Sequence, residues 1–596
     1  QTFKIIIMKQ IFTLLLIGLS LTTFGQNWDE VIKAVASDRE ADDFFGFSVD
    51  ISDDKAIVGA FQEGASAGAA YIFELNGGVW SETFKLVASD GAVDDRFGYS
   101  VSISGDKVII GAYQEDEDAS GGATLGDAGS AYVFELSGGV WTETAKLVAS
   151  DRGASDLFGR GVSISGDRVL VGANQEDHDL LGVNPLSNSG SAYIFDLSGG
   201  VWSETAKLVS SDRAADDFFG LSVDISGDKA IVSSYLDNHN ETGGAILNNV
   251  GSAYIFELSG GVWSETAKLF ASDGTTWDSF GFSVSIDGDK VVAGAHRQDR
   301  DASGGTALSD AGAAYIFELS GGVWTETAKL VASDRGVTDL FGVNVSISGD
   351  RVVVGANQED EDATGGTTVL NAGSAYVFEL IGGVWTEASK LVASDRAADD
   401  LFGRGVAISG NRVIVGAYRE DENVSGGTTL QDPGSVYMFM TCNENQNVSI
   451  SGNIATAQTV GVTYQWLDCD NGNAVIASET NQSFTASVIG NYAVVVTEGN
   501  CTDTSTCVNL STVSVYDLGS AMDSYQLYPN PTTEKITIYN FDLFIDNITI
   551  VDVTGKLMKS FTPKRSVIDV SMLQKGIYFV KIQHGEEVVT QKMVKQ

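Results

Sequence analysis

The sequence predicts an all-β protein: a seven-bladed β-propeller, then a small disulfide-containing β-sandwich, then a C-terminal β-sandwich. Three observations carry this prediction. The text of residues 85–145 recurs with a period of 61 residues. Each copy contains four strand patterns and no helix pattern. The fourth-strand text is missing after the last copy and stands before the first one instead.

The repeats cover most of the chain. Further copies of the text start at Lys146, Lys207, Lys268, Lys329 and Lys390. A shorter copy starts at Lys33 and lacks nine residues of the middle loop. A fixed period of this kind indicates units that bury their apolar faces against their neighbours. We therefore expect one repeat domain over residues 26–440.

Each repeat reads as an antiparallel meander. In the second copy the strand patterns cover residues 97–104, 107–112, 130–136 and 139–148. They alternate β-branched or aromatic residues with polar ones, as half-buried strands do. Gly105-Asp106 supplies the chemistry of a tight hairpin turn between the first two strands. Seven such units favour a propeller, in which small sheets are arranged radially.

The chain ends favour a closed ring. Trp28 stands five residues before Lys33, as Trp80 stands five residues before Lys85. The fourth-strand tryptophan therefore occurs seven times, at Trp28, Trp80, Trp141, Trp202, Trp263, Trp324 and Trp385. An N-terminal strand that completes the last blade closes a propeller, whereas an open solenoid needs dissimilar capping repeats.

Two dipeptides recur in register. Phe-Gly opens the first strand at Phe45-Gly46, Phe97-Gly98, Phe158-Gly159, Phe219-Gly220, Phe280-Gly281, Phe341-Gly342 and Phe402-Gly403. Gly-Ala closes the second strand with Gly59, Gly111, Gly172, Gly294, Gly355 and Gly416. This pattern resembles the FG-GAP repeat family, the repeat of integrin α-subunit propellers and of bacterial surface proteins.

The chain departs from that family at two points. The usual proline after Gly-Ala is absent, and the fourth repeat has Ser233-Ser234 in place of Gly-Ala. The integrin-type calcium loop lies between the two dipeptide-bearing strands, and here that span is only a Ser-Gly-Asp turn. The resemblance therefore does not carry that metal site over.

The N-terminus predicts export. We interpret residues 1–25 as a signal peptide with an upstream extension, with Met8 as the start and 11–21 as the apolar segment. That segment is too short to span a bilayer, and cleavage is expected before Gln26. No other stretch predicts a transmembrane helix.

The formal charge of −44 limits the partners. An acidic surface repels nucleic acid and anionic membrane, so we expect neither as a partner. Cations and basic surfaces are the expected ones.

All four cysteines lie in residues 441–511, at Cys442, Cys469, Cys501 and Cys507. An even number in an exported chain predicts two disulfides, and three connectivities remain open. Alternating runs in the same segment predict an Ig-like β-sandwich.

Residues 512–524 read as a linker, and residues 525–596 differ in character from the rest. From Gln526 onward nine Lys/Arg and seven Asp/Glu give a net charge of +2. The ordered motifs are Tyr528-Pro529-Asn530-Pro531, Val553-Thr554-Gly555-Lys556, Leu573-Gln574-Lys575-Gly576-Ile577-Tyr578 and Lys592-Met593-Val594-Lys595. They resemble the type A C-terminal sorting domain of the type IX secretion system of Bacteroidetes. The resemblance implies contact with that machinery and passage through the outer membrane. Release or surface anchoring would follow.

The long loop between the second and third strands has the spacing of metal ligands. Asp116, Asp118, Ser120 and Asp127 occupy positions 1, 3, 5 and 12 of a calcium-loop pattern, with Gly121 at position 6. The copies are Asp299, Asp301, Ser303, Asp310; Asp360, Asp362, Thr364, Asn371; and Asp421, Asn423, Ser425, Asp432. Calcium is the predicted cofactor. The alternative is a solvated acidic loop whose side chains bond their own backbone.

Catalysis has less support than binding. The four histidines are His178, His239, His296 and His584, and none recurs at one repeat position. A catalytic triad or a zinc site needs several such groups together. We expect a secreted or cell-surface, non-enzymatic binding or adhesion protein with an extracellular protein or glycan ligand, the propeller acting as a calcium-assisted platform. The alternative is a secreted polysaccharide-acting enzyme or its substrate-binding scaffold.

Overall fold

The computed structural model describes residues 28–122, 124–239, 246–305, 307–366, 368–424, 426, 430–441, 448–458, 463–498, 501–510, 526–539, 545–562, 566–584 and 587–596. The predicted signal peptide, residues 1–25, and the predicted linker, residues 512–524, lie outside these ranges.

Seven four-stranded antiparallel sheets form the repeat region. The first strands are Ser48–Ser52, Ser100–Ser104, Phe158–Ser165, Val223–Ser226, Val284–Asp287, Val345–Ser348 and Gly405–Ser409. The second strands are Lys55–Ala60, Lys107–Ala112, Arg168–Ala173, Lys229–Ser234, Lys290–Ala295, Arg351–Ala356 and Arg412–Ala417. The third strands are Ala69–Asn76, Ser130–Ser137, Ser191–Ser198, Ser252–Ser259, Ala313–Ser320, Ser374–Ile381 and Ser435–Thr441. The fourth strands are Val79–Leu86, Val140–Leu147, Val201–Leu208, Val262–Leu269, Val323–Leu330, Val384–Leu391 and Trp28–Ala34.

The blades form a closed ring. The first strand of each blade contacts the first strand of the next, and that of the seventh blade contacts that of the first. Trp28–Ala34 pairs antiparallel with Ser435–Thr441 and completes the seventh sheet. The predicted seven-bladed propeller and its closure through the N-terminal strand are therefore confirmed.

The first strands are joined by side chains. The backbone N–H of Ile164 donates to Ser102 Oγ of the preceding blade at 3.3 Å, and the N–H of Ile225 donates to Ser163 Oγ at 3.2 Å. The N–H of Ile103 donates to a carboxylate oxygen of Asp50 at 2.8 Å. The serines that alternate with apolar residues in these strands therefore bridge neighbouring blades.

The observed first strand of the second blade starts at Ser100, three residues after the predicted start at 97. Gly98 has a φ of +87°, and Phe97 makes a parallel bridge to Gly68 of the preceding blade. Phe97 thus bridges to the neighbouring blade, whereas the N–H of Gly98 still donates to the carbonyl of Gly111 in its own blade at 3.0 Å. Phe97 is fully buried and meets Tyr132 edge to face at 5.5 Å between ring centroids.

Glycine is required where neighbouring blades approach most closely. A Cβ on Gly111 would lie 2.0 Å from the carbonyl oxygen of Gly159 in the next blade. Gly59, Gly172, Gly294, Gly355 and Gly416 have equivalent contacts at 1.8–2.0 Å. In the fourth blade, Ser233 replaces this glycine, and its Oγ accepts the N–H of Ser222 at 3.0 Å.

Two short helical turns accompany the strands within the described ranges. The first repeat, which lacks the long loop, has a four-residue turn at Glu63–Ser66 in its place. A 3₁₀ turn covers Cys469–Asn471.

The region after the propeller forms a two-sheet β-sandwich. Its strands are Val448–Ser451, Ile454–Ala457, Thr463–Asp468, Ala474–Val475, Ser483–Thr485, Gly490–Glu498, Cys501–Thr504 and Val508–Leu510. Trp466 of one sheet stacks on Phe484 of the other at 5.3 Å. Cys469 and Cys507 form a disulfide, which selects one pairing among those that the sequence left open. Cys442 and the side chain of Cys501 lie outside the described part.

The C-terminal segment is a second sandwich, of a three-stranded and a four-stranded sheet. Its strands are Gln526–Tyr528, Lys535–Tyr539, Asn547–Asp552, Leu557–Phe561, Val567–Asp569, Gly576–His584 and Glu587–Lys595. Ile536, Ile550 and Val580 are fully buried in the core that joins the two sheets.

The close approach of the blades predicts the effect of a single methyl group. Gly111→Ala should lower the free energy of unfolding by about 3 kcal/mol, because its Cβ meets fixed backbone of the next blade. Gly126→Ala is the matched control, since nothing lies within 4 Å of a Cβ there. Urea unfolding of both variants checks this. Equal stabilities would contradict the contact.

Ring closure can be tested with a matched pair of tryptophans. Trp28 is 6% exposed and lies among side chains of the sixth and seventh blades, and Trp141 is equally buried in the second blade. Trp28→Ala should cost about 3 kcal/mol of unfolding free energy, as should Trp141→Ala. A much smaller cost at Trp28 would show that the terminal strand does not close the ring in solution.

Candidate functional site on the loop-bearing face

One face of the propeller carries the long loops. Phe-Gly opens the first strand and Gly-Ala closes the antiparallel second strand, so both dipeptides lie at the same end of the sheet. The loop between the second and third strands and the connection from the preceding blade meet at this end. We call it the loop-bearing face. The opposite face carries the short Ser-Gly-Asp and Ser-Gly-Gly turns.

A lysine organises the outer part of this face in each blade. In the second blade, Lys146 Nζ lies 2.7 Å from Asp90 and 2.9 Å from Glu115. Asp90 belongs to the incoming connection and Glu115 to the long loop, so one cation holds both to the fourth strand. The hydroxyl of Tyr132 donates to Asp90 at 2.8 Å. Burial opposes ionisation of Asp90, but hydrogen bonds from Lys146 and Tyr132 outweigh it and lower its pKa.

The lysine cluster recurs around the ring. The equivalent sets are Lys33, Asp395, Glu420; Lys85, Asp38, Glu63; Lys207, Asp151, Glu176; Lys268, Asp212, Asp237; and Lys390, Asp334, Glu359. In the fifth blade Lys329 pairs with Asp273, and Gln298 takes the place of the second acid. These carboxylates are part of the scaffold.

A second set of acids is buried in the incoming connections. A carboxylate oxygen of Asp95 accepts the N–H of Ala92, and burial raises its pKa to about 6, with Glu115 and Asp116 adding to the shift. The equivalents are Asp43, Asp156, Asp217, Asp278, Asp339 and Asp400. Burial raises the pKa of Asp400 to about 8, and repulsion by Glu420 and Glu422 contributes. Burial therefore shifts these carboxyls toward their protonated form.

The predicted calcium ligands lie on the long loop, where they bond the loop's own backbone. Asp118 Oδ1 accepts hydrogen bonds from the N–H and the Oγ of Ser120, at 2.8 and 2.6 Å, and from the N–H of Gly122 at 3.1 Å. Asp116 Oδ1 accepts the N–H of Asp127 at 2.8 Å. Asp127 has a φ of +54°, a conformation that Asp and Asn tolerate better than most residues. This gives the Asp or Asn at position 12 a structural explanation besides metal binding.

The other copies repeat this geometry. Asp301 and Asp362 accept from Ser303 and Thr364 as Asp118 does from Ser120. The N–H groups of Asp310, Asn371 and Asp432 donate to Asp299, Asp360 and Asp421 at 2.7–2.9 Å. Asn423 lies in the loop of the seventh blade, and Ser425 lies outside the described residues. The third and fourth blades keep the bond between positions 1 and 12, through Asp177 and Asn238.

Carboxylates also converge outside the predicted set of calcium ligands. Among the described residues, oxygens of Asp90, Glu115 and Glu117 lie within 4.8 Å of one another. Asp116 and Asp118 alternate with Glu115 and Glu117 along the loop, so the predicted set and the convergent set are adjacent. The position of Glu117 changes between blades. His178 and His239 occupy it in the third and fourth blades, where they face Glu176 at 3.1 Å and Asp237 at 3.5 Å.

The inner part of the face has a different chemistry. The first strands enclose a central channel, and its mouth is lined by Phe47, Tyr99, Arg160, Tyr235, Phe282 and Arg404. Five of these residues directly follow a Phe-Gly pair, and Tyr235 follows Ser233-Ser234, which replaces Gly-Ala in the fourth repeat. Sequence reasoning used the dipeptides to recognise the repeat and missed the positions beside them. The signal that could have found them is their variation among nearly identical repeats.

Two carboxylates face the channel below this mouth. Asp50 accepts from Ser102 Oγ at 2.9 Å, and Asp224 accepts from Ser163 and Ser285 Oγ at 2.7 and 2.9 Å. Burial raises the pKa of Asp50 to about 6, against the hydrogen bonds from Ile103 and Ser102. Burial likewise raises the pKa of Asp224. Both groups are already bonded to neighbouring blades.

Comparison with known families settles the identity of the repeats. The FG-GAP repeat model matches residues 28–73, 80–134, 141–195, 202–256, 263–317, 324–378 and 385–439, more than half of the chain. The chain belongs to the FG-GAP repeat family. The model of the secretion system C-terminal sorting domain matches residues 526–596 of this FG-GAP protein. The protein is thus exported, to the cell surface or as a secreted protein.

One further comparison and one property of the structure concern the rest of the chain. No curated protein is similar enough to this FG-GAP chain to count as a match. Within the described part of the chain, no helix is long and apolar enough to cross a membrane.

The buried acids predict how stability depends on pH. The pKa of Asp400 in the fold is about 8, above the unfolded value of about 3.9. Its contribution is therefore fully present below about pH 4 and is lost as the pH rises through about 8. Asp90 has a lowered pKa, so its contribution is lost as the pH falls below about 4. We expect the unfolding free energy to be larger near pH 5 than at pH 8.

Asp400→Asn isolates this effect. It should raise the unfolding free energy at pH 8 by on the order of 1 kcal/mol and reduce the pH dependence, because each pKa unit corresponds to about 1.4 kcal/mol. Asp399→Asn changes the exposed neighbouring residue, so it is the control and should leave the pH dependence of the unfolding free energy unchanged. Urea unfolding at pH 5 and pH 8 gives the measurement. A loss of stability in Asp400→Asn at pH 8 would contradict the raised pKa.

Proposed function

We propose that this exported FG-GAP protein is a non-enzymatic binding or adhesion protein whose loop-bearing face holds an extracellular protein or glycan, assisted by calcium. The observation that carries the proposal is where the repeats differ. The turns of the opposite face are nearly the same in all blades, as Gly105-Asp106 and Gly138-Gly139 illustrate. The positions at the strand ends of the loop-bearing face change from blade to blade. Variation on one face of an otherwise regular ring is typical of a ligand-binding surface.

Calcium assistance is supported by the acidic loops. Asp116 and Asp118 stand two residues apart, and the backbone hydrogen bonds that they accept fall on Oδ1 of each. A carboxylate has about four lone-pair sites, so an oxygen that anchors an N–H can also bind a cation. Asp90, Glu115 and Glu117 lie close by, and Lys146 neutralises only part of their charge. A further cation would relieve the remaining repulsion among these carboxylates. Calcium accepts six to eight oxygen ligands in flexible geometry, whereas magnesium demands a near-ideal octahedral shell. Calcium therefore suits these loop carboxylates better than magnesium does.

The proposal predicts calcium-dependent stability. An ion that binds only the folded state stabilises it by mass action. Millimolar calcium should therefore raise the melting temperature of the protein, and chelator should lower it. Asp116→Asn combined with Asp118→Asn should remove about one equivalent of calcium in calorimetry, and the asparagine Oδ1 can still accept the loop's N–H groups. Asp106→Asn, on the opposite face, is the matched control.

A further variant locates the ion. If Glu117→Gln removes the same equivalent while Asp116→Asn with Asp118→Asn does not, calcium sits at the convergent cluster and not at the predicted ligands. Identical melting curves in calcium and in chelator, with no calcium-specific heat, would refute calcium assistance. Hydrolysis of a polysaccharide by the purified protein would instead support the alternative of a secreted polysaccharide-acting enzyme.

A further inference from the structure

Aromatic and arginine side chains crowd the mouth of the central channel. The cavity there has a volume of about 310 Å³, which is at the lower end of the range for small-molecule sites. It lies at the innermost strands, away from the acidic loops considered above. We call it the channel mouth.

On one side of the channel mouth, two guanidinium groups lie against aromatic rings. Arg160 is 4.3 Å from the ring centroid of Tyr99 and 4.6 Å from that of Tyr113. Arg404 is 4.5 Å from the ring centroid of Phe47, and Phe47 and Tyr99 are 5.0 Å apart. A stacked guanidinium keeps its N–H groups in its own plane, where they can meet a carboxylate. Arg160 Nε is buried and has no hydrogen-bond partner within the described structure.

The other side of the channel mouth is aromatic. Tyr235 and Phe282 lie 5.6 Å apart, and Phe282 lies 4.2 Å from the ring of His296. Flat apolar faces therefore stand on both sides of the cavity.

Three buried polar atoms at equivalent repeat positions lack a partner. They are Asn174 Oδ1, His296 Nδ1 and Asn357 Oδ1, each on the residue after the second strand of its blade. These three residues are 4%, 7% and 6% exposed. Buried polar groups in folded proteins are nearly always hydrogen-bonded, so each of these atoms needs a donor that the described residues do not supply.

Arg160 and Arg404 stand at the channel mouth, and the carboxyls of Asp50 and Asp224 line the same cavity deeper down. Burial, and then Arg297 and Arg404, lower the pKa of His296 to about 3, so the ring is neutral. The lysine–carboxylate clusters lie at the fourth strand, three strand spacings or roughly 14 Å from the first strand. Charges are screened over about 8 Å at physiological ionic strength, so the charged groups that act at the mouth are those that line the cavity itself.

We propose that the channel mouth binds a carboxylated sugar, a uronic acid residue at the end of an acidic glycan. Arginine recognises a carboxylate through paired N–H groups. The weakly positive C–H face of a sugar ring fits the negative face of an aromatic ring. This inference rests on the proposed binding role and deepens it, but it uses none of the calcium-loop residues.

The test is calorimetry of the whole protein with glucuronic acid, galacturonic acid and a trimer of galacturonic acid, with galactose as the neutral comparison. Binding should be seen for the acidic sugars and be at least tenfold weaker for galactose. Arg160→Gln combined with Arg404→Gln should weaken binding at least tenfold. Arg300→Gln removes an exposed arginine from a long loop of the same face and should change nothing. Chelator should leave binding intact.

A gain-of-binding variant guards against misfolding of the double variant. Leu221 occupies the position of Arg160 in the next blade and lines the same cavity, so Leu221→Arg adds a guanidinium there and should tighten binding. Equal binding of galactose and galacturonic acid would overturn the inference, as would no binding of any sugar. Binding that is abolished by Asp116→Asn with Asp118→Asn and unaffected by the arginine variants would also overturn it, while leaving the proposed function in place.

Discussion

The closest contact between neighbouring blades governs the architecture. Gly111 faces the carbonyl oxygen of Gly159 with no room for a Cβ, and the same contact recurs around most of the ring. It brings the end of each second strand against the start of the next first strand. The residues that follow these glycines, such as Tyr113 and Arg160, are therefore held side by side at the channel mouth. A packing requirement on the glycines thus positions a surface on their neighbours.

The loop-bearing face separates charge by distance from the axis. At the fourth strand, lysines such as Lys146 neutralise part of the acid and join the incoming connection to the long loop. Deeper acids such as Asp95 and Asp400 have raised pKa values because burial disfavours their ionised form. At the innermost strands, arginines stack on aromatic rings. Two arginines therefore stand at the channel mouth of a chain whose net charge is −44.

The acidic loops show how one spacing serves two purposes. Alternating Asp and Ser in the sequence predicts a calcium loop, and the same side chains hold the loop together through Asp118 and Ser120. Asp127 combines a left-handed backbone with a half-buried carboxylate that accepts a hydrogen bond from Gln114. The hydrogen bonds that the loop's own side chains accept fix the positions of its carboxylates. Calcium would then add to an existing conformation, which is why the proposed binding can be tested separately from folding.

The sequence by itself determined the propeller, the number of blades and the closure by Trp28–Ala34, because period, alternation and the displaced fourth strand are properties of the text. It also indicated both sandwiches and the sorting tail. Only the tertiary structure paired Cys469 with Cys507 and brought Asp90 to Glu117. Only the tertiary structure brought the residues of the channel mouth together, because residues about 61 positions apart, such as Tyr99 and Arg160, become neighbours when the blades pack side by side. Such contacts between blades leave no mark in local periodicity.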